Sequence, residues 1–164
     1  MAALGRLQTV EVGPQSATSG PSNLLAKLDR TGQGLMNYLE LKSPHNGSLL
    51  TCTIKSRFEE GVDFDVKVAT PFFSGTAPSS TFMAAPLGAW FQEMADAWAG
   101  WSGEKSWADL ESRVLLSSTT DSTGHITMRV TLMGQDYDSV LRVNIMFDAG
   151  QLEDMARNVR LLFS

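Results

Sequence analysis

The clearest signal along the chain is strict alternation of apolar and polar positions. Leu50, Cys52 and Ile54 alternate with Thr51, Thr53 and Lys55. After Glu59-Glu60-Gly61, Val62, Phe64, Val66 and Val68 alternate with Asp63, Asp65 and Lys67. A period of two puts one set of side chains on one face of an extended strand, so this stretch is predicted to be a β-hairpin with one buried face. A second meander is predicted to begin at residues 113–119 and turn at Asp121-Ser122-Thr123-Gly124. It continues through Ile126, Met128, Val130 and Leu132 to a strand at 140–147, where Leu141, Val143, Ile145 and Phe147 share a face. Nearer the start, residues 35–41 read as a strand, and residues 24–28 as a strand or a short helix, on either side of the polar turn Asp29-Arg30-Thr31-Gly32.

Two stretches carry the helical period instead. Behind Pro86, which suits a first helical turn, Leu87, Trp90, Phe91, Met94, Trp98 and Trp101 recur at spacings of three and four, predicting an amphipathic helix that stops around residues 100–103. The second begins at Asp148 as N-cap with Gln151 three positions on. It runs along Leu152, Met155, Ala156, Val159, Leu162 and Phe163, with Glu153 and Asp154 early and Arg157 and Arg160 late to match the helix dipole. Residues 70–85, with Pro71, Gly75, Pro78 and a Ser/Thr cluster, show neither period and are expected to form a long ordered loop holding Phe72, Phe73 and Phe82.

The order strands, helix, strands, helix argues for an α+β fold of about six to seven antiparallel strands with two helices. Residues 1–22, rich in Gly, Pro, Ser and Thr, read as a flexible entry segment, and residues 23–164 as a single domain. Each half is a meander followed by one helix, although the halves share no motif that aligns by eye.

Composition narrows the function classes. The 164 residues are 43% hydrophobic, as in an ordinary globular domain, and carry a formal net charge of -5. That charge disfavours a phosphate-binding surface, so no nucleic-acid partner is expected, and it would steer the protein toward a basic protein partner. Cys52 is the only cysteine, which rules out an internal disulfide and suits a reducing cytoplasm. No stretch approaches the roughly 18 apolar residues of a membrane-spanning helix, and no signal-peptide pattern opens the chain, so no membrane partner is expected.

Chemistry is sparse in the sequence. His45 and His125 are the only histidines, and neither has a second ligand at metal-binding spacing, so no metal or other cofactor is expected. His125 reads as a hairpin-end residue, Cys52 as a small buried hydrophobe, and the Asp63/Asp65 pair as a solvated strand face. Gly103-Glu104-Lys105-Ser106 fails the phosphate-loop pattern because Glu104 intervenes between glycine and lysine. No catalytic residue is assigned.

The four tryptophans fall close together. Trp90, Trp98 and Trp101 fit the buried stripe of the first helix, whereas Trp107 lies beyond it among charges. Glu104, Lys105, Trp107, Asp109 and Glu111 are therefore the expected binding residues, an aromatic anchor in mixed charge.

The stretch Ala97-Trp98-Ala99-Gly100-Trp101-Ser102-Gly103-Glu104-Lys105-Ser106-Trp107 is followed by Leu110-Glu111, Gly124-His125-Ile126 and Asp148-Ala149-Gly150-Gln151-Leu152. Over residues 86–164 the chain thereby resembles an uncharacterised family of small bacterial proteins, a domain of unknown function. Its pattern is a Trp-Gly-Trp-like step, a Gly-Glu-Lys/Arg turn with Trp, a meander and a closing helix. The resemblance implies a fold and no activity.

The function expected from these readings is a cytosolic, non-catalytic protein-binding module of the immunity-protein or inhibitor type. The alternative is a small-molecule binding domain or minor enzyme with a pocket beneath residues 70–85, where Phe72, Phe73, Phe82 and Met83 would line it or else roof the sheet. A homo-oligomer joined through a strand edge is a third reading.

Overall fold

The computed structural model describes residues 36–164. The entry segment and the element at 24–28 lie outside the described residues. The fold is α+β, with two four-stranded antiparallel sheets and two helices. The first sheet is a meander of β1 (Tyr38–Lys42), β2 (Leu49–Phe58), β3 (Gly61–Ala69) and β4 (Ser74–Ser80), followed by helix α1 (Leu87–Asp96). The second repeats the plan with β5 (Lys105–Ala108), β6 (Val114–Thr120), β7 (His125–Met133) and β8 (Val140–Asp148), a 3-10 turn at Ala149–Gln151, and helix α2 (Leu152–Leu162).

Alternation fixes the register of the β2–β3 hairpin. Cys52 pairs with Val66 and Leu50 with Val68, and Val62, Phe64, Val66 and Val68 are all buried while Asp63 and Lys67 face out. A one-residue slip would exchange those four apolar side chains for Asp63, Asp65 and Lys67, at about 1.5–3 kcal/mol for each one exposed. A bulge between Ile54 and Ser56 breaks the pattern near the end of β2 and leaves Ile54 half-buried.

The described residues alone hold eight strands where six to seven are expected of the chain, because two lie where no alternation marks them. The segment 70–85 contains β4, an edge strand of sequence Ser-Gly-Thr-Ala-Pro-Ser-Ser in which Ala77 is the one buried apolar residue. Pro78 is tolerated there because an edge strand leaves one row of backbone groups unpaired. The four-residue β5 is the other, and it pairs Trp107 with Leu116 of β6.

The first helix is shorter than its apolar spacing predicts. It ends at Asp96, and the chain then turns through Gly100 at φ +110. A left-handed φ of that kind suits glycine. The early stop turns Trp98 out of the stripe, and it is 69% exposed.

One core spans both halves. The helices supply Leu87, Trp90, Phe91 and Met94 from α1 and Leu152, Met155, Ala156, Val159 and Leu162 from α2, against the inner faces of both sheets. Helix packing is close at Gly88, where a Cβ would stand 3.3 Å from Arg160 Cγ. Arg160 also donates to Gln92 Oε1 at 3.1 Å. Edge strand β4 comes up against the second sheet, so that a Cβ on Gly75 would lie 2.7 Å from Leu141 Cδ2. Among the described residues no helix is long and apolar enough to cross a membrane.

Candidate functional site

The five residues expected to form one binding patch are dispersed by the fold. Trp107 is core, 4% exposed, with its indole N–H donating to the Ala85 carbonyl at 2.6 Å. Lys105, on the same inward row of β5, pairs with Glu93 of α1 and stands 5.8 Å above the Trp101 ring. Glu104 is exposed, in a cleft that Trp107 also lines together with Arg129 and Arg142. Burial of Trp107 follows from strand alternation, which β5 is too short to display in the sequence.

Asp109 and Glu111 do reach a common cavity. Asp109 is buried and closes the β5–β6 turn. Its Oδ1 accepts from the backbone N–H of Arg113 at 2.8 Å and of Val114 at 3.3 Å, and its Oδ2 accepts from Ser79 Oγ at 3.0 Å. The Ser79 bond crosses from β4 to the second sheet, and between the two sheets at this end lies an open groove of about 590 Å3. Phe58, Phe82 and Leu110 line it with their rings and methyls partly in water, at 42%, 37% and 58% exposure. The Phe58 and Phe82 rings sit 6.4 Å apart at 47°. Gly61 permits that approach, since a Cβ there would lie 3.0 Å from the Phe82 backbone nitrogen and 3.2 Å from Phe58 Cζ.

The rim of this groove is charged and mostly acidic. Lys55 pairs with Asp65 at 2.8 Å and Arg113 with Glu111 at 2.8 Å. Arg113 also lies 5.7 Å over the Tyr137 ring, and its guanidinium is held above its ordinary value first by the hydrogen bond to the Tyr137 hydroxyl. Asp63 accepts from Ser56 Oγ at 3.1 Å, and Glu59 and Glu60 stand exposed in the turn that carries Phe58. Asp63, Glu59 and Glu60 form no ion pair among the described residues. Of the aromatic and thioether side chains at 70–85, Phe82 alone lines this groove. Phe72 is 85% exposed, and Phe73 and Met83 are likewise in solvent, outside this groove and not packed down on the sheet.

A second constellation sits at a corner of the molecule where the two halves meet. His45, in the turn between β1 and β2, places Nε2 2.9 Å from Asp148 Oδ1. His125 places its own Nε2 3.8 Å from the same oxygen. The two imidazoles meet edge to face with centroids 5.2 Å apart. Asp121 and Thr123, in the β6–β7 turn, hold His125 from behind. Thr123 Oγ1 lies 2.7 Å from His125 Nδ1 and donates to Asp121 Oδ1 at 2.7 Å. The Thr123 bond, followed by the His125 backbone N–H, pulls the Asp121 pKa down to about 2. A cleft of about 390 Å3 opens beside the cluster, walled by the chain neighbours Ser43, Pro44 and Gly47 of His45 and Phe147 and Gly150 of Asp148.

Residues 45, 125 and 148 are too far apart along the chain for spacing to reveal this cluster. Part of it was nevertheless accessible, because the β7–β8 alternation that pairs Leu132 with Leu141 carries His125 directly opposite Asp148. His45 carries no comparable signal. No curated protein matches the sequence. The match of residues 40–164 to a family model places this chain in a family of unknown function, DUF6228.

Proposed function

We propose that this protein is a non-catalytic binding module of the immunity or inhibitor kind, and that it grips a basic protein through the groove between its two sheets. The observation that carries this reading is the composition of the groove. Exposed Phe58, Phe82 and Leu110 at its centre are ringed by Asp63, Asp65 and Glu111, with Glu59 and Glu60 beside them. An apolar floor inside a polar rim is the anatomy of a protein interface, and aromatic side chains are its usual anchors. Lys55 and Arg113 pair with Asp65 and Glu111, which leaves Asp63, Glu59 and Glu60, in no ion pair among the described residues, to choose the partner. A guanidinium from that partner would stack on Phe58 or Phe82 while pairing with Asp63, a geometry that suits arginine better than lysine.

Charge reversal tests the reading. In the double variant Glu60→Lys/Asp63→Lys the fold should persist, because both side chains are on the solvent side of the β2–β3 hairpin. A stoichiometric partner recovered from the native cell by the wild-type protein should be lost from this variant, and its capture should weaken with rising salt. Equal recovery by both proteins, or a partner without a basic surface, would refute the assignment.

A further inference from the structure

We propose that His45, His125 and Asp148 bind a divalent transition-metal ion, through His45 Nε2, His125 Nε2 and a carboxylate oxygen of Asp148, and that the ion ties the two halves of the fold together. This site is separate from the inter-sheet groove and stands or falls independently of it.

Geometry comes first. Donor atoms of all three residues lie within 4.8 Å of one another, and Asp148 Oδ1 is 2.9 Å from one imidazole nitrogen and 3.8 Å from the other. Metal–ligand bonds of about 2.0–2.2 Å place neighbouring donors of a tetrahedral site roughly 3.3 Å apart, so closure requires donor separations to change by up to about 1.5 Å. Two imidazoles and one carboxylate, with no thiolate, are a ligand set for zinc and its first-row neighbours, and three protein ligands leave a position for water or an exogenous ligand.

Hydrogen bonding then fixes which nitrogen of His125 is offered. The Asp121 carboxylate can only accept, so the Thr123 hydroxyl hydrogen is spent on it, and Thr123 Oγ1 must accept from His125 Nδ1–H. Nδ1 carries a hydrogen in that arrangement, so it is Nε2 that faces the cluster, 3.8 Å from the Asp148 carboxylate oxygen. In the neutral ring that nitrogen holds a lone pair, and a cation between it and the carboxylate, whether a metal ion or a proton on Nε2, removes the repulsion. A protonated His125 set between Asp121, 3.4 Å from Nδ1, and Asp148 is the competing arrangement, and it predicts no saturable Co2+ binding. An imidazole Nδ1–H held by a hydrogen-bond acceptor that is itself bonded to a carboxylate is also how metal-binding histidines are commonly oriented.

The backbone presets the three side chains. His125 and Asp148 are cross-strand partners in the β7–β8 ladder. His45 rides on a turn closed by Ser43 N–H to Ser48 O at 2.8 Å, and Ser43 Oγ fastens that turn to the Met146 carbonyl of β8 at 2.8 Å. The ion would thus join the first sheet's turn to the second sheet's last hairpin. All three side chains keep partial exposure, so an ion can enter from solvent.

The test uses tag-free, chelator-treated full-length protein titrated with Co2+ and then Zn2+. One Co2+ per chain should bind with the visible absorption of a low-coordinate nitrogen–oxygen site and be displaced by Zn2+. Zn2+ should also raise Tm by about 5 °C at saturation. His45→Ala, on an exposed turn, should weaken binding at least tenfold and abolish the Tm shift, and His125→Ala should do the same. Thr123→Val should weaken binding by about tenfold through loss of orientation. Absence of saturable Co2+ binding below about 100 µM, or equal affinity in a His45→Ala/His125→Ala double variant, would overturn the proposal.

Discussion

Trp90 and Trp107 are both buried, yet they use their indole N–H groups differently. Trp107 donates to Ala85 O at 2.6 Å, whereas Trp90 Nε1 has no partner among the described residues. Substitution by phenylalanine should separate them. Trp107→Phe strands a carbonyl and should destabilise by about 2–3 kcal/mol, while Trp90→Phe removes an unsatisfied donor and should stay within about 1 kcal/mol of wild type in chemical denaturation. Asp109→Ala should lose about 2–3 kcal/mol, since it leaves the N–H groups of Arg113 and Val114 and the Ser79 hydroxyl without their acceptor. Asp109→Asn should recover part of this loss. Cys52 is a small hydrophobe whose thiol burial pushes up to about 12 from 9.0. A thiol reagent at pH 8 should leave the native protein unmodified. The unfolded chain gives up this proton near pH 9 and the folded chain does not, so stability should fall as pH rises from about 9 toward 12. Rapid labelling of native protein would contradict the burial. Residue by residue, the sequence is most legible where a side chain has one role: Cys52, Val66 and Met155 all occupy the core their spacing indicates. It is least legible for Trp98 and Trp107, whose exposures are set by where an element stops or starts.

At the scale of elements, alternation and helical period identify β2, β3, β6, β7, β8, α1 and α2, because each buries several apolar side chains at a regular interval. They fail for β4 and β5, which are held by backbone pairing to a neighbour and by one buried apolar residue each, Ala77 and Trp107. Such strands borrow their order from the strand beside them, and a period of two cannot emerge from a single apolar side chain. The close approach of β4 to Leu141 gives a direct check. Gly75→Ala would place a methyl where the Leu141 side chain now lies, and half-buried Leu141 can turn aside, so a loss of about 1 kcal/mol is expected by thermal or denaturant unfolding. A neutral or stabilising result would mean that β4 does not pack on the second sheet as described.

On the scale of the whole molecule, the fold is one plan used twice, a four-stranded meander and a helix, with both halves closing on a shared core. The two chemically distinctive places lie where the halves meet. The groove joins β3 and β4 to the β5–β6 turn, and the histidine pair joins the β1–β2 turn to β7 and β8. Neither is written in local sequence, because each draws its residues from both halves and only the docking of the halves brings them together. Asp109 and Glu111 could be picked out as charged residues near an aromatic one, yet their companions Phe58 and Phe82 belong to the other sheet.

The measurement that tests the binding assignment most directly is a comparison of three baits in the native cell: wild type, Phe58→Ala/Phe82→Ala, and His45→Ala. Mass spectrometry would report what each retains. The groove reading predicts one basic protein held by wild type and by His45→Ala and lost from the Phe58→Ala/Phe82→Ala variant, with all three baits equally folded by circular dichroism. The same partner on all three baits, or no partner on any, would contradict it.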